Sequence, residues 1–195
     1  FLSDVSGHGI PAAFITSMLK SFILQAGPLR RNPQELLRYV NQGLYGQTAG
    51  NFVTAFYGIY YPSTQKLIYA NAAHNSPYLI SPSGEISLLP SEGRGLPLAA
   101  FDNEFLAGLK NYYSNQEILL APQTKLLLYT DGLVEAAHFE DPAQDKTFEE
   151  VIPEILPAFG HLHPKEIVSK LFESLIQFRG NSQFEDDVCL ICMEV

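Results

Sequence analysis

The chain is expected to fold as an α+β sandwich, with antiparallel sheet layers and helices outside them. Three observations carry that expectation. Two helical periodicities with start and stop signals fill residues 10 to 44. From Asn51 the residues change to β-branched and aromatic types punctuated by turn signals, and two further helical stretches then precede one closing apolar strand.

In chain order, Phe1-Leu2 is an apolar lead-in that reads as a strand, and Ile10 to Ala26 reads as the first helix, with Pro11 in its first turn and Gly27-Pro28 as its stop. One stripe of this helix is Ile10, Phe14, Ser17, Met18, Ser21, Phe22 and Gln25, another is Ile15, Leu19 and Ile23, and Lys20 is its only charge. So little charge predicts cover on more than one side, by a sheet plus a neighbouring helix or by a partner, either a second copy or an upstream sensor domain. Asn32-Pro33-Gln34-Glu35 reads as a capping box opening a second helix whose inner face is Leu36, Leu37, Val40 and Leu44.

A long hairpin follows, Phe52 to Tyr61 and Lys66 to Ala72 about the turn Pro62-Ser63-Thr64-Gln65, and then short strands near Tyr78 to Ile80 and Ile86 to Leu89 about Ser81-Pro82-Ser83-Gly84. Pro90 to Gly108 reads as irregular; its Gly93-Arg94-Gly95-Leu96-Pro97 is either a phosphate-facing loop or a plain surface loop. Strands resume at Gln116 to Leu120 and Lys125 to Thr130. Helices are expected near Phe148 to Phe159 and Pro164 to Phe178, the latter burying Ile167, Val168, Leu171, Phe172, Leu175 and Ile176, and the last strand runs from Val188 to Val195.

With 195 residues, 46% of them hydrophobic, the chain is expected to form one domain with a substantial core. Its net charge of −9 argues against nucleic acid or an anionic membrane as a general partner, and in favour of metal ions or a basic partner surface. No apolar run has the ~20 residues that span a bilayer, and nothing at the start resembles a secretory signal, so the domain itself is expected to be soluble, and its cysteines, expected to be reduced, fit a cytoplasmic one. The start at Phe1, within a strand-like stretch, predicts a fragment whose parent continues upstream and can carry a membrane anchor there. Cys189 and Cys192 have a C-x-x-C spacing, but they fall in what reads as a buried strand, where residues three apart point to opposite faces; they are expected to be reduced core residues rather than a metal or redox pair.

The chemistry is carried by carboxylates at strand ends. Asp4 is expected at a strand-to-helix corner before the glycine loop Gly7-His8-Gly9, Asp131-Gly132 directly ends the strand Leu126 to Thr130, and Asp186-Asp187 directly begin the last strand. Gathered at one end of a sheet, such carboxylates repel one another unless a cation lies among them, and hard cations such as Mg²⁺ or Mn²⁺ take oxygen ligands of this kind. The alternatives are that Asp4 caps the following helix and that the other acids are ordinary solvated turn residues.

The hexapeptide Asp4-Val5-Ser6-Gly7-His8-Gly9, the run Tyr69-Ala70-Asn71-Ala72-Ala73-His74-Asn75-Ser76-Pro77, Gly95-Leu96-Pro97-Leu98, the block from Leu126 through Thr130-Asp131-Gly132 to Ala136, and Asp186-Asp187-Val188 occur in an order and spacing that resemble the SpoIIE/RsbU branch of the PPM metal-dependent serine/threonine phosphatases. The resemblance spans nearly the whole chain. It implies a four-layer α-β-β-α sandwich with a centre for two or more Mn²⁺ or Mg²⁺ ions. Asp4 then matches the metal-bridging aspartate, the Val5 carbonyl a ligand beside it, Asp131 the ligand of the Thr-Asp-Gly block and Asp186 the ligand near the C-terminus. Gly7, His8, Gly9, Gly132 and Asp187 fall in supporting positions, with His8 better matched to a loop-stabilising role than to a proton donor.

The implied activity is hydrolysis of phosphoserine or phosphothreonine by a metal-bridging water, on a phosphorylated protein of the anti-sigma-factor-antagonist type. A catalytically silent phosphatase-like binding module is the alternative. Four departures bear on it: an upstream Gly-Gly-Asp type ligand segment is absent, which leaves the implied metal site incomplete and makes weak metal binding or inactivity of this fragment an expectation even where the parent is active; Ala73 and Ala99 stand where the family has glycine; and His138 to Thr147 lacks the family's Phe-Gly pattern. His74 is expected to hydrogen-bond at a strand end, and His161 and His163 to be incidental.

Overall fold

A computed structural model of the chain describes residues 1–92, 94–109, 112–138, 147–181, 184 and 186–195. They form two compact units, residues 1–74 with 91–119, and residues 75–90 with 120–195. Each unit has one four-stranded antiparallel sheet and its own helices, the fold class that the element order predicts.

In the first unit the sheet order is β1 (Leu2–Val5), β2 (Val53–Tyr61), β3 (Lys66–Ala72), β6 (Gln116–Leu119), with the hairpin in the expected register, Tyr61 opposite Lys66. Helix α2 (Pro33–Leu44) supplies the core: Leu36, Leu37, Val40 and Leu44 are wholly buried, with Val53, Ala55, Ala70 and Ala72 of the sheet in the same cluster. Burial on this scale contributes about 1.5–3 kcal/mol per large side chain.

Asn32 Oδ1 caps α2 by accepting from Glu35 N at 3.3 Å, but the expected return bond is replaced, because Glu35 pairs with Arg38 one turn later at 3.2 Å. Asn41 lies on the same inner face, and its amide holds the chain beyond Gly95: Nδ2 donates to Phe101 O and to Asn103 Oδ1, and Oδ1 accepts from Ala99 N at 2.7 Å. Within the stretch expected to be irregular, Asp102 caps a short helix, α3 (Asn103–Ala107), by accepting from Phe105 N at 2.6 Å.

In helix α1 (Ile10–Gln25) Ile15 and Leu19 are buried, while Ile10, Phe14 and Leu24 are 74%, 67% and 63% exposed, so this chain covers one of the two expected stripes and leaves the other open. Thr16, Ser17 and Ser21 turn their hydroxyls onto carbonyls four residues back, each at 2.9 Å.

In the second unit the order is β5 (Ile86–Leu88), β4 (Tyr78–Ile80), β7 (Lys125–Tyr129), β8 (Leu190–Glu194). Strand β7 is buried at every position; even Lys125 is covered, its ammonium 3.2 Å from Glu194. Helices α4 (Asp131–Val134), α5 (Phe148–Phe159) and α6 (Pro164–Arg179) surround a core that includes Leu127, Leu133, Phe148, Ile152, Leu156, Ile167, Leu171 and Leu175.

Of the six α6 residues expected on its inner side, Ile167, Leu171 and Leu175 are buried, Val168 and Ile176 are half-buried, and Phe172 is exposed. His163 is not incidental. It caps α6, its ring accepting from Lys165 N at 3.3 Å while Glu166 accepts from His163 N at 3.2 Å. Among the described residues no helix is long and apolar enough to cross a membrane.

Candidate metal centre

The structure places the expected ligands in both units. In the first, Asp4 lies inside β1 rather than at its corner, paired with Thr54 of β2, and Val5 pairs with Val53. The corner is Ser6 to Gly9. Ser6 N donates to Phe52 O at 2.9 Å, and Ser6 Oγ accepts from Phe52 N at 2.8 Å, so the ladder is carried one step further by a side chain. Gly7 (φ 85°) and Gly9 (φ 78°) then turn through backbone conformations that side chains resist. Gly9 holds the cap position of α1 and no side chain caps that helix, which removes the capping role for Asp4. His8 is exposed at the turn.

Behind Asp4 is a polar brace that sequence reasoning missed in part. Thr54, its cross-strand neighbour, has Oγ1 2.8 Å from His74 Nδ1, and His74 is only 2% exposed. Asn71 holds the turn that delivers His74, donating from Nδ2 to His74 O at 2.9 Å and accepting from His74 N at 2.8 Å. His74 thus hydrogen-bonds at a strand end, as its position predicts. Arg94 donates to the Ala73 carbonyl and Gly95 N donates to Asn71 O, so this part of the glycine-bearing loop is fastened to the end of β3; Gly93 lies outside the described residues. The segment noted for lacking a Phe-Gly pattern lies largely outside them too, at 139–146.

In the second unit Asp131 and Asp186-Asp187 are brought together. Asp131 is the first residue of α4, and its Oδ1 accepts from Gly132 N at 3.0 Å; Asp186 Oδ1 likewise accepts from Asp187 N at 2.8 Å. No other hydrogen bond of either carboxylate occurs among the described residues, so each keeps a second oxygen for a ligand. The two turns touch at Gly132, where a Cβ would lie 2.6 Å from Asp187 O and 3.3 Å from Asp186 O.

Asp186 and Asp187 do not directly begin the last strand. Thr130 Oγ1 donates to Asp187 O and accepts from Cys189 N, both at 2.9 Å, so a side chain holds 187–189 where a ladder was expected and β8 starts at Leu190. Thr130 stood in the quoted Thr-Asp-Gly block, yet nothing in its spacing marks it as a tie. A small cavity of about 110 Å³ adjoins the turns, lined by Gly132, Glu135, Ala136, Arg179, Phe184 and Asp186.

The donors are all oxygens, the set that suits Mg²⁺ or Mn²⁺, and a cradle that a Cβ would fill adjoins them. Among the described residues no group of three or more His, Cys, Asp or Glu side chains is disposed to hold a metal ion. The cysteines are free and half-buried rather than buried; burial pushes the Cys192 thiol up to about 11, which suits an inert packing residue.

Comparison with known proteins places this geometry. The chain is 24% identical over 195 residues to the phosphoserine phosphatase RsbU of Bacillus subtilis (strain 168), covering 98% of this chain and 54% of RsbU, so it spans about half the length of that curated relative. Its fold is similar to the SiaA-PP2C domain of Pseudomonas aeruginosa, with a TM-score of 0.80, 22% identity, and 99% of this chain and 74% of that one covered. It is similar also to the catalytic domain of the serine/threonine protein phosphatase PstP, solved with two manganese ions, with a TM-score of 0.61, 16% identity, and 97% and 84% covered. The sequence profile described as Stage II sporulation protein E (SpoIIE) matches residues 1–195, and the chain therefore belongs to the SpoIIE family, with a fold of the PP2C type.

Proposed function

We propose that the chain is the phosphatase domain of a metal-dependent phosphoprotein phosphatase that hydrolyses phosphoserine or phosphothreonine. The observation that carries this reading is the pairing of Asp131 and Asp186 on two touching turns, each with one carboxylate oxygen occupied by its own next amide and the other without a hydrogen bond among the described residues. Asp4 and the Val5 carbonyl are the further proposed ligands. Bound Mn²⁺ or Mg²⁺ supplies charge neutralisation at the phosphoryl oxygens and an acidified water. The chain's own part is to position the carboxylates, through the β1–β2 ladder at Asp4 and through the tied turns at Asp131 and Asp186.

The substrate is proposed to be a phosphorylated protein of the anti-sigma-factor-antagonist type, supported by family membership and by the phosphoserine activity in the name of RsbU. A cytoplasmic setting goes with that substrate. The second reading, a catalytically silent binding module, has one observation in its favour: no three-residue ligand group is disposed to hold a metal among the described residues.

The test is phosphate release from a phosphoserine protein with and without Mn²⁺. Catalysis predicts release that needs Mn²⁺, stops on chelation, and falls at least about 100-fold in Asp131→Asn, about 2.7 kcal/mol of transition-state stabilisation. Tight binding of the phosphoprotein with no release across Mn²⁺ and Mg²⁺, by a version extended upstream as well as by this chain, would replace this reading with the binding module.

A further inference from the structure

We infer that Thr130 is a positioning residue for the metal centre: its hydroxyl fixes the Asp186 turn relative to Asp131. The inference rests on the metal-dependent reading above and deepens it by naming the part that sets the spacing of the two ligand turns. Three bonds join this one residue to 187–189. Its main-chain N donates to Cys189 O at 3.1 Å, its Oγ1 donates to Asp187 O at 2.9 Å, and the same Oγ1 accepts from Cys189 N at 2.9 Å.

The last ladder pair of the sheet is Tyr129 opposite Leu190; one residue further on, a single main-chain bond from Thr130 N to Cys189 O remains, and the hydroxyl adds the bond to Cys189 N and extends the tie to Asp187 O. Thr130 is 4% exposed, which keeps water from competing for either bond. A threonine fits because one oxygen both donates and accepts, which valine, of the same shape, cannot do. Asp131 follows Thr130 directly, and Asp186 precedes the carbonyl that Thr130 holds, so both ligand backbones are referred to a single side chain. Gly132 completes the arrangement by leaving the carbonyls of Asp186 and Asp187 room to approach. Residues that orient ligands in this way typically change metal affinity 10–100-fold when lost.

The test uses Mn²⁺ itself as probe. Free Mn²⁺ is followed by electron paramagnetic resonance as it is titrated into the chain and into Thr130→Val, Thr130→Ser, Asp131→Asn and Asp186→Asn, each checked for folding by circular dichroism. The expected result is Mn²⁺ affinity weakened about 10–100-fold in Thr130→Val and within about threefold of the original in Thr130→Ser, which keeps the hydroxyl.

Equal affinity of the original chain and Thr130→Val, alongside loss in the two Asp variants, overturns the role of Thr130 and leaves the metal reading standing. Binding that neither Asp variant alters overturns the metal reading and this inference with it. If Thr130→Val does not fold, the original chain still decides. Linkage requires Mn²⁺ to slow hydrogen exchange of the Cys189 amide, and unchanged exchange at saturating Mn²⁺ refutes the tie.

Discussion

The two segments that carry the proposed ligands are held by different physics. Asp4 lies in a ladder of four antiparallel pairs, Leu2 with Phe56 through Val5 with Val53, where main-chain bonds set the position whatever the side chains are. Asp131 and Asp186 lie in turns whose position depends on particular side chains: a hydroxyl at 130, and the absence of any Cβ at 132. The first seat should tolerate substitution around it, and the second should not. A ligand held by a ladder is also predictable from strand periodicity, whereas one held by a side-chain tie is not.

The largest effect that would break or sharpen this contrast is at Gly132. An alanine Cβ there would meet Asp187 O at 2.6 Å, a distance no relaxed contact reaches, so the 186–187 turn or the start of α4 must move. Gly132→Ala is expected to lose about 1–3 kcal/mol in urea unfolding and to weaken Mn²⁺ binding along with it. Ser3→Ala, one residue before Asp4 in the ladder, is expected to change stability by less than about 0.5 kcal/mol and Mn²⁺ affinity not measurably. Equal losses from the two substitutions would remove the distinction between the seats.

A smaller effect is expected at the brace behind Asp4. Thr54→Val removes the hydroxyl partner of His74 Nδ1 but leaves the β1–β2 pairing intact, so it should cost about 0.5–1.5 kcal/mol of stability. The measurement that isolates it is the urea midpoint of Thr54→Val set beside that of Thr54→Ser. If serine is as damaging as valine, packing rather than the hydrogen bond explains the loss.

What could be read from the sequence follows the same division. The helices α2 and α5, the hairpin β2–β3 and the strand β7 are set by local periodicity and turn residues, and their limits fall within one residue of where the sequence predicts them. On α1 the low charge count marked an apolar helix, of which this chain covers Ile15 and Leu19 and leaves Ile10 and Phe14 open; periodicity shows the stripes but not what covers each. The late start of β8 and the caps by His163 and Asp102 were missed because each depends on a side chain bonding to main chain across a turn, which periodicity does not register. At the candidate site the aspartates were visible through their motif blocks. Thr54, Asn71 and Thr130, the residues that brace or tie those segments, were not singled out, since a threonine in a strand is ordinarily just a β-former.

The smallest expected effect runs in the opposite direction. Ala73 and Ala99, which stand where the family pattern has glycine, adopt φ of 57° and 66°, the left-handed region that costs a residue with a Cβ about 1–2 kcal/mol. The structure keeps them there because their neighbours leave no choice: Asn71 bonds both main-chain groups of His74 beyond Ala73, and Asn41 accepts from Ala99 N.

Glycine would relieve the strain but add about 0.4–1 kcal/mol of unfolded-state freedom, so Ala73→Gly and Ala99→Gly should each gain only about 0.5–1 kcal/mol, seen as a Tm rise of about 1–4 °C. Ala72→Gly is the control, because Ala72 is regular strand, wholly buried, and glycine there brings the entropy cost with no relief. A rise at 73 and 99 with a fall at 72 locates the strain in the backbone. A fall at all three positions would instead mean that the alanine methyls are held by packing, and that these two departures from the glycine pattern fill space in the core of the first unit.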